Sequence, residues 1–251
     1  MATKPNRQLV WSGDSLITGE RVVILATGFA SASANAKTGG MVQTWIMLED
    51  IAPHHAHSAG LDVTVCGDCP HRSKASGGTN ACYVNLGQGP RSTWEAHRRN
   101  GSPDIDLAEL QGRRVRFGSY GDPAAAPTWV WEELADAAEG RVTGYTHQWR
   151  QRPDLAQWCM ASVDSAEEAR QAVAAGWRPF FARPRGAGLP TGLSLVTCPA
   201  SAEAGKRIQC AQCMRCGGNG NGRSGGVTIQ AHGATAGRFA ARQSLPLLVN
   251  A

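Results

Sequence analysis

Seven of the eight cysteines fall into two groups, Cys66, Cys69 and Cys82 in the first third of the chain and Cys198, Cys210, Cys213 and Cys216 near its end. Thiolates at such spacing are ligands for zinc or an iron–sulfur cluster, and no packing role of buried thiols calls for it. In the C-terminal group, Cys210-Ala-Gln-Cys213-Met-Arg-Cys216 sets three thiols on one tight loop, and Cys198 follows an apolar run. Three close cysteines with a remote fourth is the ferredoxin arrangement: one loop wraps three corners of a cubane and a distant residue closes the last. Zinc, the alternative, more usually takes two separated Cys-x2-Cys knuckles. The N-terminal group supplies only three thiols, with twelve residues between Cys69 and Cys82. Either one iron is left open to substrate or cofactor, or the set is closed by His71, by one of His54, His55 and His57, or by Cys159; a three-iron cluster is the remaining reading. Cys159, inside an apolar run, reads first as a small core residue.

Such ligands need elements to hold them. Residues 22–29 and 44–48 read as strands of a small N-terminal β extension covering residues 1–60. From residue 61 a different rhythm begins, in which short apolar runs end in polar clusters. Leu61–Val65 runs into Cys66, Arg114–Phe117 into Ser-Tyr-Gly-Asp-Pro, Val142–Gly144 into Tyr-Thr-His, and Trp158–Ala161 into Ser-Val-Asp. Pro179–Ala182 runs into Arg-Pro, Leu193–Thr197 into Cys198, and Val227–Ile229 into Gln-Ala-His-Gly. Helices lie between them. Ser92-Thr-Trp-Glu95 and Ser165-Ala-Glu-Glu168 have the form of capping boxes, Gly101 and Gly176 sit where those helices would stop, and Trp131, Leu134, Ala135 and Ala138 make one apolar stripe. Strand, polar loop, helix, strand is the pattern of parallel βαβ units, so residues 61–251 are expected to form a complete or partial parallel (β/α) barrel; an open doubly wound sheet is the alternative. Either fold opens the carboxyl ends of its strands onto one face and brings both cysteine groups there. Gly217–Gly226, with six glycines and two asparagines, reads as a low-complexity loop.

The same strand ends carry further polar groups. Tyr120, Asp122, His147 and His232 are candidate catalytic residues, and Tyr145, Asp164 and Arg183 are candidates for holding a cofactor, because together they supply acids, bases and a guanidinium around the sulfur. Taken singly, Asp122 before Pro123 could simply shape a turn, Asp164 cap the next helix, and His232 lie in a loop. Arg91 could touch a phosphate, whereas Arg98 and Arg99 read as a solvated helix end. The eight tryptophans are scattered and suit packing better than base stacking. No P-loop and no G-x-G-x-x-G follows a strand.

With 42% hydrophobic residues in 251, the chain can bury a full core without disulfide staples. A polar N-terminus and the lack of any long apolar stretch argue against a membrane span and for the cytoplasm, where grouped thiols stay reduced. The net charge of +5 permits nucleic-acid contact without demanding it, and a small molecule or a host protein is the other partner class.

Cys-Gly-Asp-Cys-Pro-His-Arg, Ala-Cys-Tyr-Val-Asn, Gly-Gln-Gly-Pro, Gly-Tyr-Thr-His-Gln-Trp, Met-Ala-Ser-Val-Asp, Val-Thr-Cys-Pro-Ala-Ser and Cys-x2-Cys-x2-Cys, in that order, resemble the uncharacterised cysteine-rich proteins of tailed bacteriophages over about residues 61–233. That resemblance implies a phage-encoded protein working in the host cytoplasm. The layout is more distantly similar to radical S-adenosylmethionine enzymes, whose cluster loop follows the first strand of a partial barrel, where Cys66, Cys69 and Cys82 stand. This implies redox or radical chemistry with S-adenosylmethionine as a cofactor. The chain departs from that pattern in the wide Cys69–Cys82 gap, where those enzymes use Cys-x3-Cys-x2-Cys, and in having no Gly-Gly-Glu after a second strand. A zinc module contacting nucleic acid or a host protein, and an electron-transfer or redox-sensing cluster protein, are the alternatives.

Overall fold

A computed structural model describes residues 5–32, 35–205 and 208–243. The apolar run near residue 22 becomes β2 (Arg21–Thr27), the strand between two others of its sheet, whose Val22–Ala26 are all buried. β1 (Arg7–Asp14) and β3 (Val42–Leu48) pair with it antiparallel. From β3 onward every pairing is parallel. β3 joins β4 (Val115–Tyr120), so the N-terminal strands extend the sheet that follows, and β4 joins β5 (Val142–Thr143). A second sheet runs in the order β6 (Tyr145–Thr146), β7 (Met160–Val163), β8 (Pro179–Arg183), β10 (Gly226–Gln230), β9 (Leu195–Thr197).

β5 and β6 are two halves of one extended stretch, divided at Gly144. A Cβ at this position would lie 2.5 Å from Cys159 Sγ, so only glycine lets the chain pass the buried thiol. β5 pairs back to β4 and β6 forward to β7, which makes Gly144 the handover between the sheets. The carboxyl ends of β4, β6, β7, β8, β9 and β10 are followed by polar or cysteine-bearing loops. The molecule is thus mixed α/β, with two parallel-rich sheets.

Seven helices complete the described residues: α1 (Pro53–Ala59), α2 (Val63–Cys66), α3 (Gly89–Asn100), α4 (Thr128–Ala137), α5 (Ala166–Ala174), α6 (Cys210–Cys213) and α7 (Ala236–Gln243). The predicted stripe of α4 is buried, with the Trp131 ring 4.9 Å from Phe117 and its indole N–H donating to Pro123 O at 2.8 Å. Burying such a side chain is worth about 2–3 kcal/mol, which ties α4 firmly under β4. Ser165 caps α5 as expected, accepting from Glu168 N–H. The box expected at Ser92 does not form. Pro90 in the first turn starts α3 at Gly89, since its fixed φ and missing N–H suit that place, and Ser92 Oγ instead bonds Gly89 O inside the helix.

Two other readings change. Leu61–Val65 is not a strand: the Asp62 carboxylate accepts from Ser73 N–H at 2.7 Å and Ser73 Oγ at 3.0 Å and meets His57 Nδ1 at 2.9 Å. These bonds across eleven residues favour the curl of the run into α2, and an apolar run this short has no periodicity to separate helix from strand. The glycine-rich segment 217–226 is tied down rather than loose. The Arg178 guanidinium donates to Arg215 O, Gly218 O, Gly225 O and Asn221 Oδ1. Cys159 is a core residue, 1% exposed. Among the described residues no helix is long and apolar enough to cross a membrane.

Candidate metal and sulfur centre

The C-terminal thiols converge from three pieces of chain. Cys198 leaves β9 with its N–H bonded to Thr228 O, while Ser201 N–H and Oγ both close back on Cys198 O. Cys210 and Cys213 stand one turn apart on α6, which is capped by Gln209 and docked on the β2–β3 connection through Cys210 N–H to Lys37 O at 2.8 Å. Met214, in the left-handed conformation with φ +50°, turns the chain so that Cys216 O accepts from Gly144 N–H. Burial, helped by the charges of Cys198, Cys210 and Cys213, pushes the Cys216 thiol up to about 12, against a hydrogen bond from Tyr145. Cys210 is also raised, by burial first and then by Cys198 and Cys213, while Arg116 and Lys37 oppose the rise. Burial, with the neighbouring thiols adding to it, makes Cys210 and Cys216 hard to ionise, and a bound cation would offset both effects, so the group fits a cationic centre.

Arg116 stands beside this set. Burial alone would lower its pKa, but the charges of Tyr83, Tyr145, Cys210 and Cys216 raise it, so the guanidinium stays protonated. It donates to Tyr83 Oη at 3.0 Å and lies 5.2 Å from the Tyr145 ring centroid. Tyr83 directly follows Cys82, so this bond ties Arg116, beside Cys210 and Cys216, to the segment that carries Cys82. A charged residue in the middle of an apolar strand run was the sequence signal for it.

The N-terminal thiols are gathered by a knot of backbone bonds. Gly67, with φ +58°, allows the Cys66–Cys69 turn to lie on Gln148, where a Cβ would come 2.4 Å from the Gln148 amide. Gln148 Nε2 donates to Asp68 Oδ1 at 2.6 Å. Cys82 N–H bonds His71 O, Thr79 N–H bonds Pro70 O, and Arg72 donates to Cys69 O, which together fold the twelve-residue gap back on itself. Burial, then Cys69 and Cys82, raise the Cys66 thiol well above its ordinary value, and burial with Cys69 lifts Cys82 to about 11.

Around this set lie Tyr120, Asp122, His147 and Asp164. The Tyr120 phenol is raised by burial and then by Cys66 and Cys82, and its buried hydroxyl meets no hydrogen-bond partner among the described residues. Asp122 does shape its turn, accepting from Ala124 N–H, and also accepts from His147 N–H at 2.8 Å. Burial raises the Asp122 carboxyl in spite of these bonds. His147 Nε2 lies 3.9 Å from Cys69 Sγ and 3.6 Å from Asp164 Oδ2, and His71 Nε2 lies 2.8 Å from Asp164 Oδ1. Burial opposes protonation of His147, but Cys69 and Asp164 together raise its pKa well above the usual histidine value. Burial opposes ionisation of Asp164, yet hydrogen bonds from both histidines hold its carboxyl far below the usual range. The other candidate fourth ligands are engaged elsewhere: His57 with Asp62 and Asn80, His54 stacked on His55, and Cys159 in the core.

Two predicted residues stand apart. Arg183 is buried in an ion pair with Glu203 and a bond to Ala187 O, a clamp between the end of β8 and the turn after Cys198. His232 is exposed, bonded to Gln230 O, with its ring 6.0 Å from Tyr83. Tyr145, read as a cofactor residue, belongs instead to the Cys216 surroundings. Sequence reasoning assigned no role to Arg116 or Arg178 and did not join His71 to Asp164, 93 residues away. No family model, curated protein or solved structure matches the chain.

Proposed function

We propose that this chain is an iron–sulfur protein in which Cys198, Cys210, Cys213 and Cys216 are the complete ligand set of one cubane and Cys66, Cys69 and Cys82 the incomplete set of a second. The observation that carries the reading is the convergence of four thiols from β9, α6 and the loop after it into one group, close enough that Cys198 and Cys213 add to the effect of burial in raising Cys210 and Cys216. Their spacing along the chain, three close cysteines with a remote fourth, favours a cluster over zinc, which more usually takes two separated Cys-x2-Cys knuckles.

The two sheets, running parallel through Gly144, are read as a partial barrel with both sets at its mouth. A bound cluster supplies one-electron chemistry there. Around the N-terminal set, Tyr120 offers a hydroxyl without another partner, Asp122 fixes the backbone of His147, and His147 stands next to Cys69. The order of its cysteine motifs supports reading it as akin to the cysteine-rich proteins of tailed bacteriophages, and its grouped free thiols suit the reducing cytoplasm of a host.

Anaerobic purification followed by absorption spectroscopy and iron, sulfide and zinc analysis tests this. The expected protein is brown, with about four irons and four sulfides for each loaded cluster. A colourless protein holding stoichiometric zinc would overturn the reading in favour of a zinc module.

A further inference from the structure

We propose that His71, His147 and Asp164 form a site for one divalent transition-metal ion, distinct from the sulfur ligands and open to a small cavity. Their ligand atoms, one from each residue, all lie within 4.8 Å of one another. The two nitrogen–oxygen spacings, 2.8 and 3.6 Å, bracket the about 3.0–3.4 Å separation of two ligands held about 2.1 Å from a common ion. Both histidines turn Nε2 to the same buried carboxylate, one to each oxygen, so the three side chains converge as the ligands of one ion would. Two imidazoles and one carboxylate suit zinc, iron(II) or manganese(II) and leave coordination positions unfilled.

The supports are rigid. His147 and Asp164 directly follow the paired strands β6 and β7, and Asp164 N–H is anchored on Glu168 Oε2 at 2.8 Å, within the capped start of α5. His71 is delivered by the 66–82 knot and its ring stacks on Phe239 at 5.1 Å. A cavity of about 100 Å3, lined by His147 and Asp164 with Asp68, Trp149, Arg150 and Ser162, adjoins the group. That exceeds the roughly 30 Å3 share of one water, so a metal-bound water or a small oxygen ligand has room, with Arg150 and Ser162 on the wall to meet it. The thiol of Cys69 lies 3.9 Å from His147 Nε2, which sets the ion beside the N-terminal sulfur set.

The site holds whether or not the sulfurs carry iron. Manganese(II) is the probe, because thiolates bind it poorly and carboxylates well. The purified full-length protein is assayed for iron, sulfide and zinc, dialysed against a mild chelator, assayed again, and titrated with manganese while the free ion is followed by its paramagnetic signal. Wild type is expected to bind one manganese per chain, displaced by zinc. His71→Ala and Asp164→Asn are expected to weaken it roughly tenfold or more, with iron, sulfide and the circular dichroism spectrum unchanged. Failure of wild type to bind manganese, or equal binding by His71→Ala, overturns the site. Loss of cluster iron from His71→Ala in step with manganese also overturns it, by making His71 a cluster ligand. A protein without iron that still binds manganese at this triad sinks the cluster reading and leaves the ion site standing.

Discussion

The two cysteine groups differ in the charges beside them. Beside the C-terminal four stand two cations, with Arg178 gripping carbonyls around Cys216 and Arg116 near Cys210 and Cys216. The N-terminal three lie in a knot tied by Asp62 and Arg72, with Asp122 and the His71, His147 and Asp164 group alongside. On the proposed reading, a four-thiol set with cationic neighbours would serve structure and electron storage, and a three-thiol set beside acids, histidines and a tyrosine hydroxyl with no partner among the described residues would serve chemistry on a bound ligand.

The strongest way to break this contrast is to remove one thiol from each side. Cys213→Ser should abolish the C-terminal centre, lower iron by about half in a protein carrying two cubanes, and lower the melting temperature sharply, since binding energy in a closed site is folding energy. Cys69→Ser should remove the N-terminal iron with a much smaller fall in melting temperature. Equal losses of stability, read by calorimetry on anaerobic samples, would show that the sites are not divided in this way. Next in size is Arg178→Ala. It removes the Arg178 donor from the Gly218 and Gly225 carbonyls, while Arg215 O keeps its bond from Asn221, at a cost of about 3 kcal/mol, and should release C-terminal iron selectively. Iron lost equally from the N-terminal set would refute the selective clamp.

Much of this was legible in the sequence, for identifiable reasons. β2, β3 and the stripe of α4 carry apolar character that matches their burial, and the C-terminal cysteines are grouped closely enough in sequence for their proximity to be read from spacing. β1 was missed because an edge strand with Trp11, Ser12 and Gly13 has neither alternation nor a continuous apolar run. α2 was misread because its form is decided by Asp62 bonding Ser73, a contact of eleven residues that no local propensity encodes. The His71–Asp164 pair and the Arg178 clamp join residues about 40 to 90 positions apart and follow only from the sheet order. The outcome at Cys159 matched its reading because a lone cysteine in an apolar run carries no ligand geometry.

Cys159 sharpens the comparison as a thiol that belongs to neither set. Cys159→Ala should cost about 1 kcal/mol through the small cavity left against Gly144 and Phe117, visible as a slightly lower denaturant midpoint. Iron and sulfide should be unchanged. Any loss of iron would enlist Cys159 as the missing fourth ligand of the N-terminal set.

The finest test is Tyr120→Phe. The hydroxyl is buried between Cys66 and Cys82 without a hydrogen-bond partner, so in the protein stripped of metal its removal should raise stability by about 1 kcal/mol, because an unsatisfied buried polar group is a net cost. In the loaded protein the hydroxyl gains a partner in the N-terminal centre or its ligand, and the same substitution should bring no gain while altering the paramagnetic signal of that centre alone. Denaturant titrations of both forms, with spectra of the reduced protein, separate the outcomes. A gain of equal size in both forms would mean that Tyr120 meets nothing in the loaded site and serves only as core. Tyr145→Phe is the matched control on the other side. There the hydroxyl already bonds Cys216, so its loss should destabilise the C-terminal set in both forms and leave the N-terminal signal unaltered.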